Sequence, residues 1–501
     1  MHNSSWFVAT VGLLLAYTAV ILFFVIRGAM RTKSMADYAV GQGFSPYAVG
    51  LSLATATTSA ATFIINPGFV SLYGWSAFVA FGLCMPAGLF LSQIILTKSF
   101  RRYGKTVKAL TMAQWIGQRY ESKGFALFFA FLSLLLLSFI VLICVGLTKV
   151  LAQALGMGEF QVLVGMVVFV FSYMMFGGAN SMVYTNTVQA LIKLLVAVML
   201  LFSGYEHLSK GVNTFWEQLG AISPALAQFP NASSPLYRDF FEIVICNFVI
   251  GVAIVCQPHL ITKSLLLRDD KDVNRYLWVG SLAQMTFFLV VFAGFYARLM
   301  FPDLQVDGQP IKMDAIMSAY VVREFPVWAG LIVILGLLSA GLSTLEALIQ
   351  ALSTTVTSDI IKPLFGQFIP NDRTYIFLNR LVIVGLAAVA ITVSWQQLQH
   401  PNLSVGIFAQ LGVYGFFSTA FIPVLFGIFL KDVPRWVVVM AALTAFVLHF
   451  GTYFGGISPY LQGTVRNPAV ASTFGILGAL GVGLLGYVLS KKKGATFSHI
   501  N

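Results

Sequence analysis

The chain has 501 residues, of which 58% are hydrophobic and only 10% charged, with a formal net charge of +12. No soluble core of this size hides so much apolar sequence, so lipid must cover the remainder. The basic residues fall in short loops between apolar runs, which assigns the excess charge to membrane topology and not to nucleic acid.

A bilayer core of about 30 Å takes about 20 apolar residues of helix. Such runs lie near 6–27, 47–66, 73–97, 124–150, 158–177, 182–204, 240–260, 277–301, 327–352, 378–396, 403–430, 436–455 and 469–490. The fold class expected is therefore an all-α membrane protein with about 13 transmembrane helices. No small-residue cleavage site follows the first run, which reads as a retained helix. Loops on one side carry 22 of the 30 Lys and Arg, those on the other carry 7, and Lys193 lies inside a helix. That asymmetry predicts an N-terminus outside and a C-terminus in the cytoplasm of a multi-pass cell-membrane protein. Cys84, Cys144, Cys246 and Cys256 lie in apolar runs without metal-ligand spacing and are expected to be reduced. Asn3-Ser4-Ser5 and Asn231-Ala232-Ser233 match the glycosylation pattern on the outer side, a match that chance explains equally well.

The second helix crowds Thr55, Thr57, Thr58, Ser59 and Thr62 into a few turns, ahead of Asn66-Pro67-Gly68. Small residues help helices pack, but this pattern also suits a helix that unwinds and frees carbonyl oxygens toward a cavity or an ion. The sixth helix carries Asn186, Gln189 and Lys193 on one face. The seventh reads Cys256-Gln257-Pro258-His259, where proline is expected to end the helix near a basic loop containing Lys263. His259 there is expected to be an interfacial residue that closes the helix end.

The ninth helix holds Ser339, Ala340, Ser343, Thr344 and Glu346. Ala340 and Ser343 share a face. A hard monocation such as Na⁺ takes about five or six oxygens, which two such helices can supply. A carboxylate this deep costs roughly 3 kcal/mol or more, so Glu346 is expected to be functional or paired, with Lys193 as the candidate partner.

Together these features resemble the sodium:solute symporter family, over about residues 6–430. The matching pieces are Asp37-Tyr38 with Gly41, Phe63-Ile64 with Pro67-Gly68, Arg119-Tyr120, Phe176-Gly177-Gly178, Tyr184 through Gln189, Gln257-Pro258-His259, and Ser343-Thr344 running on to Thr357-Ser358-Asp359-Ile360. The text looks nearest the pantothenate, proline and monocarboxylate branches. The resemblance implies a LeuT-like core of two inverted five-helix repeats. It implies 1–46 as an extra helix and loop, 47–204 and 240–430 as the repeats, 205–239 as an extracellular loop, and 431–501 as two further helices and a tail.

It also implies a sodium site made of the carbonyls of Thr55, Thr58 and Ala340 and the hydroxyls of Ser343 and Thr344. Asn186 stands where many members have Asp, and Glu346 where they have a small residue. Glu346, with Asn186 and Lys193, is thus expected to form a second cation or proton site. The apolar run Val249 to Val255 argues against a sugar substrate, and Thr57 stands where proline carriers have Asp. The function expected is Na⁺-coupled symport of a small organic carboxylate by alternating access, with amino-acid or H⁺-coupled symport as the alternative. Thr57, Ser59, Thr62, Asn66, Gln410 and Tyr414 are the expected substrate contacts. No catalytic motif occurs, so an enzyme is not expected. A transporter-like sensor and a passive channel are further rivals; the tail of about ten residues after the last helix counts against the first, and broken helices with a repeat count against the second.

Overall fold

The computed structural model describes residues 4–41, 43–306, 308–368, 371–400 and 404–497. Asn3 of the first glycosylation match lies outside them. Helix dominates. Among the described residues, ten helices are long and apolar enough to cross a membrane, and two bent pairs bring the total to twelve.

In chain order the spans are α1 (Ser4–Ala29), α2 (Pro46–Thr57 with Ala61–Tyr73), α3 (Trp75–Thr106) and α4 (Lys123–Leu155). The next helix, Glu159–Phe202, has 44 residues, about 66 Å at 1.5 Å per residue and twice the thickness of a bilayer core. It divides at Gly178, where φ is 51° and ψ −145°, a conformation that only glycine adopts readily. A Cβ at Gly178 would stand 2.6 Å from the Tyr38 carbonyl oxygen. The Tyr38 hydroxyl in turn donates to the Met174 carbonyl (3.1 Å). The Asp37-Tyr38 and Phe176-Gly177-Gly178 motifs are thus two halves of one corner. The halves, α5 (159–177) and α6 (179–202), complete the thirteen spans expected.

They are followed by α7 (Phe241–Ile254 with Pro258–Leu266), α8 (Asp270–Met300), α9 (Val327–Phe365), α10 (Asp372–Gln399), α11 (Val405–Phe429) and α12 (Arg435–Gly455), then α13 (Pro468–Phe497). The central spans are the most enclosed, α9 above all.

The two bent spans, α2 and α7, turn by 54° and 58°. In α2 the hydroxyls of Thr55, Thr57 and Thr58 fold back onto carbonyls three or four residues earlier, at 2.6 to 3.2 Å. Such back-bonding competes with the helical ladder, and Thr58 is extended (φ −105°, ψ 95°). The break therefore falls at 58–60. Asn66-Pro67-Gly68, singled out with it in the sequence, lies inside the second arm.

In α7 the sequence expectation needs correction. Pro258 begins a second arm, where a proline at the first turn forfeits no hydrogen bond. Lys263, expected in a cytoplasmic loop, is 2% exposed and donates to the Ser52 hydroxyl (2.8 Å). His259, expected at the interface, is buried, and neither ring nitrogen has a hydrogen-bond partner.

The segment 205–239 is not an open loop: it folds into short helices at Tyr205–Ser209, Val212–Ile222 and Pro224–Ala227. Asn231 is buried and donates its amide to the Tyr73 carbonyl (3.3 Å), which removes it as a glycan acceptor in this fold.

Other motif residues tie loops to helix ends. The Arg119 guanidinium donates to the Gly427 and Leu430 carbonyls (2.7 and 2.9 Å) at the end of α11, where a cation is favoured. Tyr120 donates to the Pro423 carbonyl (2.6 Å). Asp359 accepts from Thr111 and Gln114 (2.6 and 2.7 Å).

Candidate functional site

The break in α2 faces the middle of α9. The Ser343 and Thr344 hydroxyls both donate to the Thr55 carbonyl (3.2 Å each). They also reach back to the Ala340 carbonyl, at 3.2 and 3.4 Å. The oxygens expected to hold sodium are therefore drawn together from two helices.

The α2 oxygens of this cluster are met by the ammonium of Lys193, on α6. Its Nζ donates to the Thr55 carbonyl (3.2 Å), to the Thr58 carbonyl and to the Thr58 hydroxyl (3.1 Å). The rings of Phe63 and Phe287 lie 5.4 and 4.8 Å from it. Lys193 is 0% exposed and, among the described residues, forms no ion pair. Carbonyl oxygens and two ring faces thus surround the group. The Glu346–Lys193 ion pair considered from the sequence is not formed: the lysine stem carries the ammonium to α2.

Glu346 has partners of its own. It accepts from the hydroxyls of Tyr173 (2.7 Å) and Thr185 (2.6 Å) and the Gln189 amide (2.9 Å). Asn186 faces elsewhere, donating to the Ser52 hydroxyl (3.0 Å) that also receives Lys263. The expected second cation site of Glu346, Asn186 and Lys193 is consequently split into three environments. Three neutral donors already occupy the carboxylate.

A small cavity opens beside the break. Thr57, Ser59, Thr62 and Asn66 of α2 line it, with Gln410 and Tyr414 of α11, so all six expected substrate contacts share one wall-to-wall space. Met85, Phe139, Leu142, Phe288 and Val413 give it an apolar body, and among the described residues its lining holds no Lys, Arg, Asp or Glu. Gln257, at the bend of α7, also lines it and was missed as a contact. Its pairing with Pro258 at a helix break was the available signal. A second residue missed was Gln284 of α8, which orients the pocket hydroxyl of Thr57 by donating to it (2.9 Å). A mostly apolar cavity with a few convergent polar groups is the usual form of a small-molecule site.

A model of the sodium:solute symporter family matches residues 38–443. The chain belongs to that family. Its relatives include the sodium/pantothenate symporter of Haemophilus influenzae, 23% identical over 437 residues that cover 84% of this chain and 85% of the relative. The high-affinity proline transporter PutP of Bacillus subtilis is 23% identical over 422 residues, covering 81% and 84%. A solved Na⁺-coupled sialic acid symporter, substrate-bound and outward-open, matches with a TM-score of 0.76 at 18% identity, covering 96% of this chain and 98% of that one. Mhp1, a nucleobase-cation-symport-1 family transporter solved in a closed conformation, matches with a TM-score of 0.54 at 13% identity, covering 93% and 96%. The likeness to these structures fixes the fold of this family member as LeuT-like. Its relatives are transporters and not enzymes.

Proposed function

We propose that this chain carries a small organic solute bearing a carboxylate across a cell membrane by alternating access. The observation that supports this most is the cavity at the α2 break, where hydroxyl and amide donors converge on an otherwise apolar space. A second support is the buried positive charge of Lys193, held by the Thr58 carbonyl next to the pocket residue Ser59 and lacking a carboxylate of its own. An anion or a zwitterion's carboxylate gains from that field, and a cationic solute loses. The first turn of the Ala61–Tyr73 arm, whose Ala61, Thr62, Ile65 and Asn66 line the cavity, adds the positive end of a helix dipole.

Pantothenate, the substrate in the name of one relative, and proline, in that of another, both carry this group. So do short monocarboxylates. The bends of α2 and α7 are the joints we assign to the opening and closing of the cavity, with 47–204 and 240–430 as the two inverted repeats. The chain is placed in the membrane with its N-terminus outside and C-terminus inside, since burial of Lys263 leaves the excess of basic residues on the same side. A coupling cation drives the solute only if it favours one state over the other.

The test is uptake of labelled pantothenate, short monocarboxylates and proline by proteoliposomes, under an inward Na⁺ gradient, an inward H⁺ gradient or neither. Accumulation of one of these anions or zwitterions is expected. Uptake confined to cations or sugars contradicts the reading.

A further inference from the structure

We propose that Lys193 is a tethered cation that permanently takes the place of the sodium ion, so that this chain needs no Na⁺ at the α2–α9 cluster. The inference deepens the carrier reading above and rests on it.

Sodium and a lysine ammonium are both hard monocations that gather neutral oxygens. The cluster offers the set that suits either: three carbonyls and two hydroxyls from two helices. Here the ammonium already has the Thr55 and Thr58 carbonyls and the Thr58 hydroxyl as acceptors. The remaining hydroxyls, of Ser343 and Thr344, lie within donating distance of the Thr55 and Ala340 carbonyls, and Thr344 of the Ala56 carbonyl as well. Two of the three carbonyls that a metal ion would use thus already accept from Lys193, which the ion would have to displace. The ammonium is also fixed from behind by Phe63 and Phe287, residues of α2 and α8, so it is a built part of the helix junction.

A second free monocation in the same cage would face the ammonium at contact range with no carboxylate between them, because Glu346 is engaged by Tyr173, Thr185 and Gln189. The broken helix is bridged to α9 by the Ser343 and Thr344 hydroxyls, while Lys193, from the middle of α6, supplies the cation at the carbonyls of the break. A charge attached to the chain does not cross the membrane with the solute, so it stabilises the junction without drawing on a sodium gradient.

The test is equilibrium binding of ²²Na⁺ to the purified full-length protein, with no solute present. Wild type is expected to show no saturable binding at the cluster. Lys193→Ala is expected to gain it, and Ser343→Ala/Thr344→Ala added to Lys193→Ala to lose it again. Lys193→Met serves as the second variant should Lys193→Ala fail to fold, since it keeps the stem and removes the charge. Saturable binding by wild type that Ser343→Ala/Thr344→Ala removes overturns the proposal. So does a folded Lys193→Ala or Lys193→Met that binds no more than wild type. The readings separate cleanly: a solute screen that finds no substrate leaves the binding result standing, whereas uptake by wild type that requires Na⁺ upholds the carrier and overturns the tethered cation.

Discussion

Glu346→Ala is expected to lower the melting temperature of the purified protein by several degrees, and Glu346→Gln to recover most of the loss. The carboxylate is fully buried and satisfies three donors from two helices. Removing it strands the Tyr173 and Thr185 hydroxyls and the Gln189 amide, and each buried group left without a partner costs about 1–3 kcal/mol. Thr185 has the Met182 carbonyl and Gln189 the Tyr17 hydroxyl as alternatives, which brings the total to about 2–4 kcal/mol. Glutamine keeps the shape and one acceptor. If Glu346 is instead a cation or proton site, the two variants fail in transport alike while their melting temperatures stay near wild type. Thermal unfolding in detergent beside an uptake assay separates these outcomes.

Asn66→Ala combined with Gln410→Ala is expected to raise the apparent KM of the transported solute about 100-fold, with the maximal rate changed much less. The two amides belong to α2 and α11 and line the same cavity. A hydrogen bond to a charged group contributes about 1.5–3 kcal/mol, so two bonds to a carboxylate amount to about 3–6 kcal/mol, of which about 100-fold remains once water partly replaces them. The effect is expected to fall on binding, because both groups are proposed to hold the solute throughout its passage. Concentration-dependent uptake by proteoliposomes checks this; an unchanged KM removes both residues from the solute site.

Much of this architecture was legible because polar groups are costly in lipid and stand out in apolar runs. The Thr-rich stretch of α2 and the Ser343-Thr344 pair of α9 were marked on those grounds, and they meet across one junction. The corner at Gly178 appeared as a division between two apolar runs. What the sequence misled on is the direction of long side chains. Gln189 and Lys193 share a face of α6, yet Gln189 reaches Glu346 while the longer Lys193 reaches the carbonyls of α2. Opposite charges inside a membrane suggest a pair, and only the rotation of α6 against two neighbours reveals that neutral partners serve each charge. Lys263 was misplaced for a related reason: Pro258 reads as a stop, but at the first turn of a helical arm it is a start.

The carrier reading is tested most directly by solute counterflow in proteoliposomes with wild type and Ala409→Trp. Ala409 is buried on α11 and lines the cavity, so an indole there fills space that the solute needs. The account predicts rapid counterflow of a carboxylate solute by wild type and its loss in an Ala409→Trp protein that melts near the wild-type temperature. Counterflow undiminished by the tryptophan, or no counterflow of any carboxylate by folded wild type, would contradict it.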